Sequence, residues 1–198
     1  MTTVIETELP GVLVLEPRVF RDERGYFREA YRESHFGELA HLGVPSRFRQ
    51  LNHSRSARGV LRGLHYQLVQ PQGKLVTVMH GEIFDVAADV RVGSPTFGRW
   101  VGVRLTGEEP RSLWIPPGFA HGFCVLSDLA DVAYACTEEY LPSGEHGVRY
   151  DDPALGIEWP VTSPLLSARD RQLPFLRDAD AHLPRFAAVS PTSAADPS

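Results

Sequence analysis

Many short β-type runs divide this chain, and this division restricts the folds that it can adopt. Across residues 11–103, β-branched and aromatic runs are interrupted at close intervals by Gly, Pro and Asn. Similar runs follow at residues 111–115, 121–126 and 131–138. Many short strands without alternating helical segments are typical of a sandwich, jelly roll or barrel rather than of a parallel α/β sheet. The sequence therefore predicts a mainly β fold with a helix or two.

One pair of runs is close enough in sequence to predict a specific connection. Lys74–His80 and residues 82–91 are both strand-like and meet at Gly81. A glycine between two such runs favours a tight turn, because it adopts positive φ at little cost. The sequence predicts a β-hairpin here.

Residues 34–42 are the segment with the clearest helical spacing. Phe36, Leu39 and Leu42 recur on one side of a 3.6-residue period. Ser34 is the expected N-cap and Gly43 the expected terminator, because these residue types satisfy the free backbone groups at helix ends.

The length of 198 residues fits one domain with a sizeable core. The periodic pattern weakens after Asp170, and the last twelve residues are small and rich in Pro and Ser. We expect a single domain over residues 1–184 and a flexible tail over residues 185–198.

Charge and cysteine content indicate which partners and compartment to expect. The net charge of -5 and the pI near 5.9 argue against nucleic-acid binding, which usually requires a basic face. Cys124 and Cys136 lie in strand-like segments without metal-type spacing, so we expect buried free thiols in a reducing cytoplasm. No apolar run approaches a membrane span, and the N-terminus lacks a secretory pattern, so neither membrane insertion nor secretion is expected.

Lys74 is the one lysine of the chain, because the other nineteen of its twenty basic residues are arginine. Two interpretations stay open at this point. Codon bias would make the lysine an accident of composition, whereas a site that needs a compact ammonium rather than a planar guanidinium would require it. His65 lies nine residues away, so the two side chains are candidates for one pocket.

His65 is a candidate general base, because imidazole is largely neutral at cellular pH and accepts a proton. Strand alternation predicts that it shares a face with Leu61 and Gly63 and lies opposite Arg62. A core histidine with satisfied hydrogen bonds is the more common case, so partner residues have to decide between the two interpretations.

The turn sequence before His121 resembles the second conserved motif of cupin barrels, Pro-x-Gly-x-x-His. Metal-binding cupins usually carry His-x-His and a glutamate in their first motif, where this chain has His65, Tyr66 and Gln67. With no three-ligand set of suitable spacing, we expect no bound metal and no cofactor. His121 is then available to a substrate oxygen.

Six segments along the chain form a joint pattern. They are residues 22–29 (DERGYFRE), 59–67 (GVLRGLHYQ), 73–76 (GKLV), 84–87 (FDVA), 94–98 (SPTFG) and 118–123 (GFAHGF). Together they resemble one family, that of dTDP-4-dehydrorhamnose 3,5-epimerase. The likeness runs in order from about residue 4 to about residue 174, and the joint match is more specific than any single motif.

The resemblance implies a metal-free, cupin-type jelly roll that acts as a homodimer on a dTDP-4-keto-6-deoxyhexose. Matched positions make His65 the general base, Asp170 its carboxylate partner and Tyr134 the opposing acid. These types fit the chemistry, because epimerisation beside a ketone removes a proton from one face and returns one to the other. Lys74 matches the position that meets the enolate oxygen.

Further matched positions imply contacts to the substrate. Arg28 and Arg169 depart from the family, which carries an aromatic residue at the first position and often lysine at the second. Each residue also has an ordinary interpretation as surface charge or core aromatic. The implied polar contacts are Arg24, Glu29, Gln50, Asn52, Arg62, Lys74, His121, Glu145 and Arg169, and the implied stacking residues are Phe27 and Tyr140.

Four functions remain open from the sequence. The first converts dTDP-4-dehydro-6-deoxy-D-glucose to dTDP-4-dehydro-L-rhamnose by epimerising both carbons beside the ketone. The second is a monofunctional 3- or 5-epimerase in antibiotic or surface deoxysugar synthesis, which would keep the same base and acid. The third, a non-catalytic sugar-nucleotide binder, is disfavoured by the intact His65, Tyr134 and Asp170, and the fourth, a metal-dependent cupin, by the missing His-x-His.

Overall fold

A computed structural model describes residues 2–186, which form two large antiparallel β-sheets and a small two-stranded one. The predominance of strands confirms the mainly β prediction. The strands are β1 (Thr3–Glu6), β2 (Leu13–Glu16), β3 (Val19–Asp22), β4 (Gly25–Arg28), β5 (Gln50–Ala57), β6 (Leu61–Gln67), β7 (Lys74–His80), β8 (Glu82–Asp89), β9 (Trp100–Thr106), β10 (Ser112–Ile115), β11 (Phe119–Val125), β12 (Leu129–Cys136) and β13 (Glu145–Gly147). The helices are α1 (Glu33–Glu38) and α2 (Ala168–Arg171), with 3₁₀ turns at Ala40–Leu42, Pro142–Gly144, Leu176–Asp178 and Asp180–His182.

The strand order brings together segments that are distant in sequence. The six-stranded sheet has the order β1-β2-β10-β7-β12-β5, and the five-stranded sheet has the order β13-β6-β11-β8-β9. Strands β3 and β4 pair with each other as a separate hairpin. Consecutive strands such as β7 and β8 lie in different sheets, which is the long-range connectivity of a jelly roll.

Alternating side chains build three apolar layers from these two sheets. Val14 and Val76 of the six-stranded sheet point inward and join Ala87 and Phe123 of the five-stranded sheet in the central core. Their sequence neighbours point outward into two outer layers, one covered by α1 and the other by the C-terminal segments. Because both faces of each sheet are covered in part, the strands carry apolar residues at successive positions.

The predicted hairpin at Gly81 is wrong. β7 hydrogen-bonds to β10 and β12, whereas β8 hydrogen-bonds to β9 and β11 in the other sheet. Gly81 has φ 78° and carries the chain around a corner from one sheet to the other. A Cβ at this position would lie 2.1 Å from the carbonyl oxygen of Leu129, so glycine is required by space as well as by φ. Local alternation does not distinguish such a corner from a hairpin.

The predicted helix is present but begins and divides differently. α1 begins at Glu33, its N-cap position is Arg32 without a side-chain cap, and Ser34 therefore lies inside the helix. A cap contributes about 1 kcal/mol, less than burial of an aromatic side chain, so the packing of Phe36 outweighs the preference of Ser34. Gly43, with φ 79°, ends the following 3₁₀ turn, which confirms the predicted terminator.

Both cysteines, Cys124 and Cys136, are buried free thiols, which confirms that prediction. Most of the expected tail, residues 185–198, lies outside the described residues. Its first two residues are described: Arg185 forms a parallel bridge with Val92, and the amide of Phe186 donates to the carbonyl of Val92. None of the helices found in residues 2–186 has the length and apolar character needed to cross a membrane.

Candidate active site

A cavity of about 390 Å³ opens between the two large sheets. It brings together all but three of the residues that the sequence predicts for the site. Its lining residues are Gln50, Asn52, Arg62, His65, Gln72, Lys74, His121, Phe123, Tyr134, Tyr140, Glu145, Ser167, Arg169 and Asp170.

His65 is fixed at one wall of this cavity by a buried carboxylate. Its Nε2 lies 2.6 Å from Oδ1 of Asp170, and the Ser167 hydroxyl donates to the other carboxylate oxygen at 2.8 Å. Ser167 is also the N-cap of α2 and accepts from the backbone N–H of Asp170. Burial acts to raise the pKa of Asp170, but hydrogen bonds from His65 and Ser167 outweigh it and lower this pKa below its ordinary value. Asp170 is therefore a carboxylate at neutral pH.

An irregularity in β6 corrects the predicted face of Arg62. His121 pairs with His65 and Phe123 pairs with Arg62, so three steps along β6 match two along β11. This bulge breaks the period of two, and Arg62 lines the same cavity as His65 instead of the opposite face. Gly63 within the bulge has φ 116°, and a Cβ there would lie 2.6 Å from the backbone of β11. Glycine is thus needed for the bulge to form.

Tyr134 lines the cavity from the opposite sheet. It lies on β12, between Asn52 of β5 and Val76 of β7, whereas His65 lies on β6 of the five-stranded sheet. Burial raises the pKa of Tyr134, so its hydroxyl is protonated at neutral pH. A proton acceptor and a proton donor therefore flank the cavity from two facing sheets.

Lys74 begins β7 and shares the cavity with His65, as the sequence predicts. Burial lowers the pKa of Lys74, and the negative charges of Glu145 and Asp85, together with Cys136, act in the opposite direction. Beside it, Nε2 of His121 lies 2.7 Å from Oδ1 of the fully buried Asp85. Burial lowers the pKa of His121 despite this carboxylate, which favours a neutral ring.

At the mouth of the cavity, polar groups hold one another in a continuous network. The Tyr140 hydroxyl donates to Glu145 at 2.5 Å, and the same carboxylate forms an ion pair with Arg169. The Gln50 side chain accepts from the Tyr140 backbone and donates to Asn52. Burial acts to raise the pKa of Glu145, but hydrogen bonds from Tyr140 and Arg169 reverse the effect and lower it. The mouth presents an aromatic ring and a cation in fixed positions.

Three predicted substrate contacts lie outside the cavity. Arg24 and Phe27 belong to the β3–β4 hairpin, where Arg24 pairs with Asp22 and the Phe27 ring is 69% exposed. Glu29 follows the hairpin and binds Arg32 and His35. Within a single chain, none of these three residues lines the cavity.

Several residues that line the cavity or support its lining were not found from the sequence. Ser167 precedes Asp170 by three residues, a spacing typical of helix N-caps, so this signal was available. Asp85 was noted only within a matching segment; an acidic residue inside an apolar strand run is itself a signal of a buried partner. Gln72 and Phe123 carry no comparable signal, because only the fold brings them to the cavity.

No cluster of three or more His, Cys, Asp or Glu side chains in residues 2–186 is arranged to hold a metal ion. His65 and His121, which are cross-strand partners, instead each bind a separate carboxylate.

Comparison with known proteins identifies close relatives. The family model described as dTDP-4-dehydrorhamnose 3,5-epimerase matches residues 6–178. The dTDP-4-dehydrorhamnose 3,5-epimerase of Pseudomonas aeruginosa is 55% identical over 173 residues, which cover 87% of this chain and 94% of the relative. A dTDP-4-dehydrorhamnose 3-epimerase from Streptomyces niveus is 43% identical, with 94% of this chain and 87% of the relative covered.

A solved structure shows the same fold. The dTDP-6-deoxy-D-glucose-3,5-epimerase of Legionella pneumophila, in complex with dTDP-4-keto-L-rhamnose, superposes with a TM-score of 0.91 at 51% sequence identity. The match covers 95% of this chain and 100% of that chain. The cupin-type jelly roll expected from the sequence is thus confirmed.

Proposed function

The chain belongs to the dTDP-4-dehydrorhamnose 3,5-epimerase family and is an isomerase of this type, and we propose that His65 and Tyr134 carry out its proton transfers. The reaction converts dTDP-4-dehydro-6-deoxy-D-glucose to dTDP-4-dehydro-L-rhamnose. The observation that carries the proposed mechanism is that His65 and Tyr134 line one cavity from two facing sheets.

Epimerisation requires a base and an acid on opposite faces of the sugar ring. A hydrogen on a carbon beside the C4 ketone is acidic, because the resulting carbanion is delocalised onto the ketone oxygen as an enolate. His65 takes this proton from one face. Tyr134, whose raised pKa keeps its hydroxyl protonated, returns a proton to the other face and inverts the carbon. The same pair acts at C3 and at C5 after the ring is repositioned.

Asp170 sets which nitrogen of His65 is the base. Its carboxylate accepts from Nε2, so Nδ1 of the neutral ring carries the free electron pair. Once His65 is protonated, the adjacent carboxylate stabilises the imidazolium. Asp170 therefore fixes the orientation of the base and lowers the energy of the charged intermediate.

Lys74 supplies the positive charge that the enolate oxygen needs. Its side chain lines the cavity with the base and the acid, within a largely buried environment. A donor already in place where negative charge develops contributes strongly, because it needs no reorganisation during the reaction.

The cavity mouth supplies groups suited to a nucleoside diphosphate. Arg62 and Arg169 are cations at the cavity that match the charge of a pyrophosphate, and the half-exposed Tyr140 offers a flat surface for a thymine ring. Gln50 and Asn52 carry amides that can pair with base or ribose edges.

We also propose a homodimer in which the β3–β4 hairpin of one protomer serves the cavity of the other. The support is that Arg24, Phe27 and Glu29 match substrate-contact positions yet lie outside the cavity of their own chain. Phe20, beside Phe27 on this hairpin, is also half exposed, and such an aromatic pair is typical of an interaction surface. For the compartment we propose the reducing cytoplasm, because Cys124 and Cys136 are buried free thiols.

Proton exchange in heavy water tests the proposed reaction carbon by carbon. With dTDP-4-dehydro-6-deoxy-D-glucose as substrate, we expect deuterium at both C3 and C5, read by NMR. Exchange at C3 alone would identify a 3-epimerase like the Streptomyces niveus relative, and exchange at neither carbon would refute the reaction.

A matched Tyr134→Phe variant separates the acid from the base. In this variant the substrate should still lose its proton to His65, but a proton should return poorly to the other face. The rate of deuterium exchange should therefore exceed the rate of net epimerisation by about 10²-fold. Equal loss of exchange and epimerisation would contradict the assigned role of Tyr134.

A further inference from the structure

Asp85 is buried and binds His121, which lines the cavity. The residue is on β8 and has 0% exposure. Its Oδ1 lies 2.7 Å from Nε2 of His121, while Oδ2 has no hydrogen-bond partner among the described residues. Burying a carboxylate without full compensation is costly, so a nearby positive charge or a functional role is expected.

Lys74 lines the same cavity as His121, the hydrogen-bond partner of Asp85. Burial lowers the pKa of Lys74, and Cys136, Glu145 and Asp85 act to raise it. No direct ion pair joins Lys74 to a carboxylate in the described part of the chain, so its N–H donors stay available to substrate. The charged and titratable groups that line the cavity with Lys74 or act on its pKa are Arg62 and His65 on β6, Asp85 on β8, His121 on β11, Tyr134 and Cys136 on β12, Tyr140, Glu145 on β13, and Arg169 and Asp170 on α2.

We propose that Asp85 is a positioning residue for the epimerisation, which acts on the substrate through His121 and Lys74. Its hydrogen bond holds His121 with Nε2 protonated and Nδ1 free to accept, and its charge keeps the Lys74 ammonium protonated inside the cavity. This inference rests on the proposed function, because it assigns Lys74 to the enolate oxygen.

The arrangement changes the role expected of His121. A neutral imidazole has one donor and one acceptor nitrogen, and Asp85 takes the donor. His121 therefore accepts from a substrate hydroxyl or from Lys74, rather than donating to a substrate oxygen as its sequence position suggested. Two His–carboxylate pairs on neighbouring strands thus differ in function. His65 takes a proton from the substrate, and His121 orients a substrate hydroxyl or Lys74.

The direction of the pH effect follows from the sign of the charge. Removing a negative charge near an ammonium lowers the pKa of that ammonium. An Asp85→Asn variant should therefore lose the Lys74 charge at a lower pH than the native protein. Activity should persist at acidic pH and fall earlier as the pH rises.

Because Lys74 is the one lysine in the chain, its titration can be observed directly. Protein grown with isotopically labelled lysine gives one side-chain NMR signal, whose pH dependence reports the pKa of Lys74. We expect Asp85→Asn to lower this pKa by more than the error of the titration, and the basic limb of kcat/KM to shift with it. Glu82→Gln, which removes one negative charge from the same strand outside the cavity lining, should leave both unchanged.

An unchanged Lys74 titration in a folded Asp85→Asn protein would overturn the proposal. A uniform loss of activity without a shift in the basic limb of kcat/KM would also overturn it.

Should the variant fail to fold, labelled histidine in the native protein provides a second test. We expect His121, assigned through His121→Gln, to show a protonated Nε2 and a free Nδ1 between about pH 6 and pH 8; the opposite tautomer would overturn the inference. Absence of proton exchange in the native protein would refute the proposed function, whereas both NMR readings stand independently of activity.

Discussion

The cavity and the β3–β4 hairpin both contain residues at substrate-contact positions, but they differ in how those residues are held. Inside the cavity, His65, Glu145 and Arg169 each bind another side chain from a distant part of the same chain. On the hairpin, Arg24 binds the nearby Asp22, and Phe27 is largely exposed. This difference supports our proposals that the cavity of one chain carries the chemistry and that the hairpin completes its binding groups against a second protomer.

The largest effect is expected from removing the base in the cavity. His65→Ala should lower turnover by about 10³-fold, because general-base catalysis contributes on this scale. Binding of dTDP, measured by calorimetry, should change little, since the mouth of the cavity is retained. Native-like turnover in this variant would contradict the role of His65 as the base. The cavity would then differ from the β3–β4 hairpin in structure but not in its contribution to catalysis.

Lys74→Arg tests whether the cavity needs a compact charge. The variant keeps the positive charge but replaces the ammonium with a planar group, so turnover should fall by about 10- to 100-fold. Circular dichroism should show an unchanged fold. Near-normal turnover would support the interpretation that the one lysine is an accident of composition.

The hairpin should influence binding more than chemistry. Phe27→Ala should raise KM by about 5- to 10-fold with little change in kcat, because a stacking contact is lost in both ground and transition states. Phe97→Ala, which removes another exposed aromatic ring, is the matched control and should have native kinetics. A large loss of kcat with unchanged KM would contradict the assignment of the hairpin to substrate binding.

Mixing two impaired proteins tests whether the hairpin acts across subunits. In a mixed dimer of His65→Ala and Phe27→Ala chains, the cavity that keeps His65 faces a native hairpin from its partner. We expect that cavity to recover native KM after subunit exchange. No recovery in a verified mixed dimer would mean that each hairpin serves its own chain.

The smallest effect is expected from Ser167, which binds Asp170, the carboxylate partner of His65. Ser167→Ala removes the N-cap of α2 and a hydrogen bond to Asp170, which should cost about 1 kcal/mol of unfolding free energy in denaturant titrations. The pKa of Asp170 is lowered in the folded state, so its contribution is present at neutral pH and is lost as the pH falls through that pKa. The stability difference should therefore narrow in acid; a constant difference would assign the effect to the cap alone.

Some features of the fold could be predicted because they depend on local patterns. Apolar and β-branched runs predicted β6 to β8 and β10 to β12, and Gly43 predicted the end of a helical segment. The connection at Gly81 could not be predicted, because a hairpin and a corner between sheets have the same local pattern. β7 pairs instead with strands more than thirty residues away, and those contacts determine the outcome.

The candidate site was predictable to the extent that residue types and motif matches identify it. His65, Tyr134, Lys74 and Asp170 were named from the sequence, and they line one cavity. The shared side of Arg62 and His65 was not predictable, because it depends on the bulge that Gly63 allows beside β11.

By itself, the sequence determined a mainly β chain, the chemical types available for proton transfer, and a single lysine among arginines. Alternation and side-chain chemistry are local properties, so a sequence carries them directly. Only the tertiary structure decided that Lys74 and His121 line one cavity, that Tyr134 lines it from the sheet opposite His65, and that the β3–β4 hairpin lies outside it. Those relations depend on sheet pairing between distant segments, where burial and long-range hydrogen bonds outweigh local preference.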